Sequence, residues 1–221
     1  RAEIVEEIAE GEDSSKLYDL ARIHSGEDFD RLTGEIIKHA GLLSSKDPEA
    51  KIASIFGMSL DAKPQDAVSI AFDGTESALW PQLLDALREP GGKTYPVIAD
   101  KLGKIEPNTP EFDDLDVLFD TFLYQSNGKD GGYLKWDSKS VNFPQSNHKK
   151  AVEAVAPIAQ ALHAFMDRVA DAKKFLFKLE AAQRTRILYT FAQTFLKTYE
   201  AAKLRRGLLD FDDLILRTRD L

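Results

Sequence analysis

Between Ile158 and Arg206 the sequence contains neither glycine nor proline. These two residues are the strongest local breaks in helical structure. So long a run without them predicts one very long helix, or two joined with a small bend. The apolar residues agree. Phe165, Val169, Ala172, Leu176 and Leu179 recur at helical spacing, and Leu188, Ala192, Phe195, Tyr199 and Ala202 form a second stripe. Pro157 stands near the start of the run, where a proline ends, kinks or begins a helix. Gly207 closes it in the position past the last turn that glycine favours.

The rest of the chain also reads as helix. Ala2 to Ala9 forms a first segment; Ser14 or Ser15 caps a second that runs to about Ile23. Phe29, Leu32, Ile36 and Ile37 repeat at helical spacing. Asp47-Pro48-Glu49 is a helix start, with a capping carboxylate, proline in the first position and an acid in the first turn, and that helix stops at Gly57. Further starts fall near Pro64, Thr75 and Thr109-Pro110-Glu111. Residues 124–145 differ: Ser126 to Gly132 is rich in turn formers, and Tyr133-Leu134-Lys135-Trp136 suits a short strand or an extended loop. The expected fold is therefore all-α, with one long basic helix near the C-terminus and a short hairpin or extended loop near 124–145. It divides into an acidic helical part over 1–109 and a second helical part over 110–221.

Composition bears on function. The 221 residues include no cysteine, which excludes disulfides, cysteine-ligated metal and a thiol nucleophile. No apolar run approaches the roughly 20 residues of a membrane helix. The chain opens on Arg1 without a secretory signal, and its last residues break off inside an amphipathic turn, so a piece of a longer protein is expected. The net charge of -8 argues against nucleic acid, but the charge is unevenly placed. Residues 145–221 carry 14 basic against 9 acidic side chains, and residues 1–144 carry 15 against 28. Such asymmetry suits a nucleic-acid surface on the basic part, or simply two differently charged solvated faces.

Few motifs carry chemistry. Gly91-Gly92-Lys93-Thr94 ends like a phosphate-binding loop, yet position 87 is leucine where that loop needs glycine, and Arg88-Glu89-Pro90 intrudes. A helix end followed by a new helix start accounts for it better. Asp113, Asp116 and Asp120 fall on one helix face and could hold a hard cation, but carboxylates early in a helix also suit its dipole. His24, His39, His148 and His163 lie at no metal-ligand spacing. No catalytic, nucleotide-binding or metal set emerges. What remains is the basic residues of the long helix: Lys173, Lys174 and Lys178, then Arg184 and Arg186, then Lys197, Lys203, Arg205 and Arg206, with Phe175, Phe177, Tyr189, Phe191 and Tyr199 interleaved. Flexible cations along a rigid element suit a phosphate-tracking surface, while cations near a helix C-terminus are also favoured by the dipole alone.

The run from Tyr199 to Ile215, with Lys203, Arg205 and Arg206 before Gly207 and then Leu209-Asp210-Phe211-Asp212-Asp213-Leu214, resembles a signature of superfamily 1A DNA helicases of the UvrD/Rep and RecB/AddA type. It resembles the return from their 1B accessory subdomain to the first motor domain. Gly91 to Thr94 and Phe122-Leu123-Tyr124 further resemble the alphaproteobacterial AddA helicase–nuclease branch, so that residues 110–221 resemble the family well and residues 1–109 only in length, helicity and acidity.

The resemblance implies a bacterial, cytoplasmic parent acting in double-strand-break repair, with ATP and Mg, a second AddB-like subunit and DNA bearing a single-stranded tail as partners. It also implies that the ATPase and nuclease motifs lie outside these residues. Asp210, Phe211, Asp213 and Leu214 match the signature and are read as structural. Lys197, Lys203, Arg205 and Arg206, and then Lys173, Lys174 and Lys178, are the candidate DNA contacts on charge and position. The alternative is a helical protein-interaction module that docks a partner through the acidic half, leaving an exposed apolar patch within residues 1–109.

Overall fold

The computed structural model describes residues 1–24, 29–43, 47–127 and 134–207. The chain is mostly helical, as the sequence implies. The helices are α1 (Ala2–Glu10), α2 (Ser14–Ile23), α3 (Phe29–Lys38), α4 (Ala40–Leu43), α5 (Pro48–Phe56), α6 (Asp66–Ala71), α7 (Glu76–Arg88), α8 (Tyr95–Leu102), α9 (Asp114–Phe122), α10 (Lys149–Val155) and α11 (Ala159–Arg206). Strands β1 (Leu123–Asn127) and β2 (Leu134–Ser138) pair antiparallel, with Gln125 opposite Trp136. Single 3₁₀ turns follow β2 at Lys139–Val141 and precede α11 at Ala156–Ile158.

Local chemistry explains the main boundaries. The carboxylate of Asp47 accepts the peptide N–H of Ala50 at 3.0 Å, Pro48 occupies the first turn, and Gly57 takes the left-handed conformation (φ 60°) that ends α5. Pro157 falls in the 3₁₀ turn where α10 gives way to α11. From there α11 runs unbroken for 48 residues, one helix and not two, to Gly207 at φ 62°. The cap of α2 departs from the sequence reading. Ser14 is already helical, the preceding residue is Asp13, and neither serine caps the helix; Asp13 instead pairs with Lys16 at 2.8 Å.

Contacts divide the chain into two compact units, one of residues 1–60 with 180–221 and one of residues 61–179. In the first unit Ile4, Ile8, Leu17, Leu20 and Ile36 pack with Phe191, Ala192, Phe195 and Ala202 of α11. The Phe191 and Phe195 rings stack at 5.9 Å, and Phe29 meets Phe191 edge-on at 5.7 Å. A smaller cluster joins Ile52, Ala182 and Tyr189, and the Tyr189 hydroxyl donates to the carbonyl of Leu42 at 2.6 Å.

The second unit has the larger core. Phe122, Phe165, Leu83, Leu87, Leu102, Leu115, Leu118 and Leu162 are fully buried. Each such side chain contributes about 1.5–3 kcal/mol through its removal from water. Phe165 sits at the centre, edge-on to Phe72, Trp80 and Phe122 at 5.6–5.8 Å. The Trp80 indole N–H donates to the carbonyl of Leu102 at 3.2 Å, which satisfies the one polar group of that buried ring. One charge lies in this core: the Glu76 carboxylate, completely buried at the start of α7, is held by Arg168 and accepts the peptide N–H of Gly74 at 3.0 Å.

Candidate nucleic-acid interface

The seven sequence-selected cations lie on α11, but at about 3.6 residues per turn they spread around the helix and form no single line. In the first unit, three of the four are committed to acids. Lys203 is mostly buried, pairs with Glu200 at 3.3 Å and lies over the Tyr199 ring at 5.6 Å. Arg205 donates to Glu7 at 2.8 Å and Arg206 donates to Glu3, so α1 sets two carboxylates one turn apart against the last turn of α11. Lys197 is exposed and makes no ion pair among the described residues. The α1 glutamates stand roughly two hundred positions from their partners, and no local sequence signal announces them. Exposed pairs of this kind are weak, so an incoming phosphate can displace the glutamates at little cost.

These pairs shape the acid response. The hydrogen bond from Arg206 and then its charge hold Glu3 below the usual carboxylate range. Arg1 does the same for Asp30. In the second unit, Asp73 is held low first by the Thr75 hydroxyl and then by the Thr75 peptide N–H. Depressed carboxylates give stability that is fully present above their unfolded pKa, near ~4, and is lost as pH falls through their folded values. The melting temperature is therefore expected to hold level from about pH 7 to 5 and to drop below about pH 4. Thermal melts across that range check it; a flat profile down to about pH 3 would show that the carboxylates gain nothing from folding.

In the second unit Lys173 is enclosed by aromatic faces, its ammonium 4.4 Å from the centre of Phe119, 5.0 Å from Trp136 and 5.4 Å from Phe177. This cation fastens β2 to α11 through cation–π attraction. Lys174 pairs with Asp171 at 2.9 Å. Lys178 is exposed and makes no ion pair among the described residues. Further along, Arg184 pairs with Glu180 at 2.6 Å, and the Arg186 Nε donates to both oxygens of Glu49 at 2.8 and 2.6 Å. Lys178 and Lys197 are thus the two of the seven candidates that are exposed without an ion pair, while Lys174, Arg205 and Arg206 are exposed but paired.

A pocket in the second unit escaped the sequence reading. It has a volume of about 640 Å³ and lies between the first turn of α8, the end of α9, β1 and the segment after β2. Phe143 is buried against Phe122 at 5.3 Å and Tyr95 at 6.1 Å and forms part of the wall. The peptide N–H of Gln145 donates to the Tyr95 hydroxyl at 3.0 Å, which ties the segment to α8. The Lys139 ammonium donates to the carbonyls of Thr121 at 2.8 Å and Asp120 at 3.2 Å, at the negative end of α9. Burial pushes the pKa of Lys139 down, and the nearby Asp120 charge works the other way.

The Gly91–Thr94 stretch is a helix-to-helix connection. Gly91 and Gly92 adopt φ 67° and 81° between α7 and α8, and Thr94 precedes Tyr95 without a capping hydrogen bond from its side chain. At the start of α9 the Asp114 carboxylate accepts the peptide N–H of Glu111 at 2.8 Å. Among the described residues no group of three or more metal-ligating side chains converges, and no helix is long and apolar enough to cross a membrane. Asp210, Phe211, Asp213 and Leu214 lie outside the described residues. The chain matches no family model, no curated protein and no solved structure.

Proposed function

We propose that this chain is a 1B-type accessory region of an ATP-dependent DNA helicase–nuclease acting in double-strand-break repair, and that its own role is to contact duplex DNA without catalysing a reaction. The observation that carries this reading is the unbroken helix α11, rich in cations, which delivers Tyr199, Lys203, Arg205 and Arg206 in the order of the helicase-like signature and stops at Gly207. ATP, Mg and an AddB-like second subunit belong to the parent protein in this reading. The exposed cations Lys178 and Lys197 meet phosphates directly, and Lys174, Arg205 and Arg206 exchange a surface carboxylate for a phosphate.

The test is fluorescence anisotropy of the chain on a labelled duplex with a single-stranded tail, titrated from about 50 to 200 mM salt, the range over which phosphate contacts lose most affinity. Binding is expected to weaken steeply with salt. Lys178→Glu and Lys197→Glu, each made alone, are expected to lower the salt slope by about one. Because both side chains are exposed, the variants keep the fold. Absence of binding at low salt would overturn the duplex-contact role. A second reading, a helical module docking a partner protein, would then hold. It is favoured by the large exposed apolar side chains Tyr18, Ile23, Leu42, Ile55, Leu60 and Val97 within residues 1–109.

A further inference from the structure

The pocket at the foot of the β1–β2 hairpin combines three features. First, aromatic faces line it. Tyr124 is about half exposed, at 48%, and His148 stands edge-on to Tyr95 at 5.2 Å. Second, the carboxamides of Asn142 and Gln145 line it and make no hydrogen bond among the described residues, so each offers a donor and an acceptor side by side. Third, the one charged side chain that lines it is a lysine, with Asp120 and Asp137 next to the lining residues Thr121 and Ser138. No carboxylate lines it, and the Lys139 ammonium uses two of its three N–H donors on backbone carbonyls, leaving the third. Lys93 immediately precedes the lining residue Thr94, and Lys149 and Lys150 immediately follow His148. All three are exposed and unpaired among the described residues.

A flat ring, a hydrogen-bonding edge and an anion are what these features recognise together. A nucleotide carries all three. Bases of any identity stack on aromatic faces, carboxamides pair with base edges, and lysines take phosphate. The volume of about 640 Å³ lies in the range of ordinary small-ligand sites. We propose that this pocket is a nucleotide-binding subsite in which Tyr124 and His148 take the base, Asn142 and Gln145 read its edge, and Lys139 with Lys93, Lys149 and Lys150 holds the phosphate. The lysines, and not a phosphate-binding loop, supply the anion contacts. The inference rests on the pocket alone and stands or falls separately from duplex binding through α11.

The test uses the whole chain and three probes: a fluorescein-labelled single strand of about 10 nucleotides, a blunt duplex of the same sequence, and an unlabelled deoxynucleoside monophosphate as competitor. Tyr124→Ala is expected to weaken single-strand binding about tenfold or more, Tyr124→Phe to restore it, and both to leave blunt-duplex affinity unchanged. Lys149→Glu/Lys150→Glu is expected to weaken the single strand and to flatten its salt dependence. Competition by the monophosphate, lost in Tyr124→Ala, would assign the subsite to free nucleotide as well. Competition by the unlabelled strand alone would assign it to a nucleotide within a chain. Asn142→Ala, at an exposed position, gives a second measure should Tyr124→Ala fail to fold. Single-strand affinity equal in the parent chain and in these variants, or no binding of either single strand or monophosphate, would overturn the proposal. Neither result would touch the outcome of the Lys178→Glu and Lys197→Glu experiment.

Discussion

Arg168→Met is expected to lower the stability of the unit formed by residues 61–179 by about 3–5 kcal/mol, the usual cost of removing one partner of a buried ion pair. The Glu76 carboxylate is completely shielded from solvent. Arg168 approaches it from α11, reaches Asp73 at 3.3 Å and donates its Nε to the carbonyl of Ala71 at 3.3 Å. Without the guanidinium, Glu76 keeps the Gly74 N–H but no counter-charge. Methionine keeps most of the volume, so lost charge and not a cavity dominates the effect. Adding Glu76→Gln removes the stranded charge and is expected to recover a large part of the loss. Both tryptophans of the chain, Trp80 and Trp136, lie in this unit, so denaturant unfolding followed by intrinsic fluorescence reports it directly. A loss below about 1 kcal/mol would show that the Gly74 N–H and the helix dipole suffice to hold the carboxylate.

Phe165→Ala is expected to cost a similar amount, about 3–5 kcal/mol, by a different mechanism. Its ring is fully buried and touches Phe72, Trp80 and Phe122, so truncation leaves a cavity lined by three aromatic side chains that cannot collapse without losing their edge-on contacts. Phe165→Leu fills much of the space and is expected to cost clearly less. A changed native Trp80 emission should accompany the stability loss. The two sites are not independent: the Arg168 guanidinium lies 5.7 Å from the Phe165 ring, so the double variant should depart measurably from the sum of the single ones. Equal stability of Phe165→Ala and the parent would place the core of this unit elsewhere than in the aromatic cluster.

The distribution of cations on α11 bears on how any phosphate surface would work. A basic cluster read from sequence counts charges; the folded unit counts those left over. Lys203 and Lys173 are spent on Glu200 and on aromatic faces, and the arginines of the last turn are shared with α1. Anion binding there would be an exchange of partners, weak and salt-dependent, whereas Lys178 and Lys197 are immediately accessible.

The sequence by itself determined what depends on neighbours a few positions apart. The absence of glycine and proline from Ile158 to Arg206 calls for one long helix or two with a small bend, Asp47-Pro48 and Gly57 dictate the two ends of α5, and the turn formers from Ser126 call for a hairpin or an extended loop; the structure makes α11 one helix and carries β1 through Ser126 and Asn127. Each of these is a property of backbone dihedrals and of side chains within one or two turns. Tertiary structure alone decided what depends on contact between distant segments. Glu76 reads as an ordinary first-turn acid until Arg168, 92 positions later, seals it from water. The joining of residues 1–60 to the end of α11, and the pairing of Glu3 and Glu7 with Arg206 and Arg205, have no local signature. The pocket likewise gathers residues from α8, α9, β1, the end of β2 and the segment after it. Periodicity reports which face of an element is apolar, but not which other face it meets, because that choice is made by shape and charge complementarity across the folded chain.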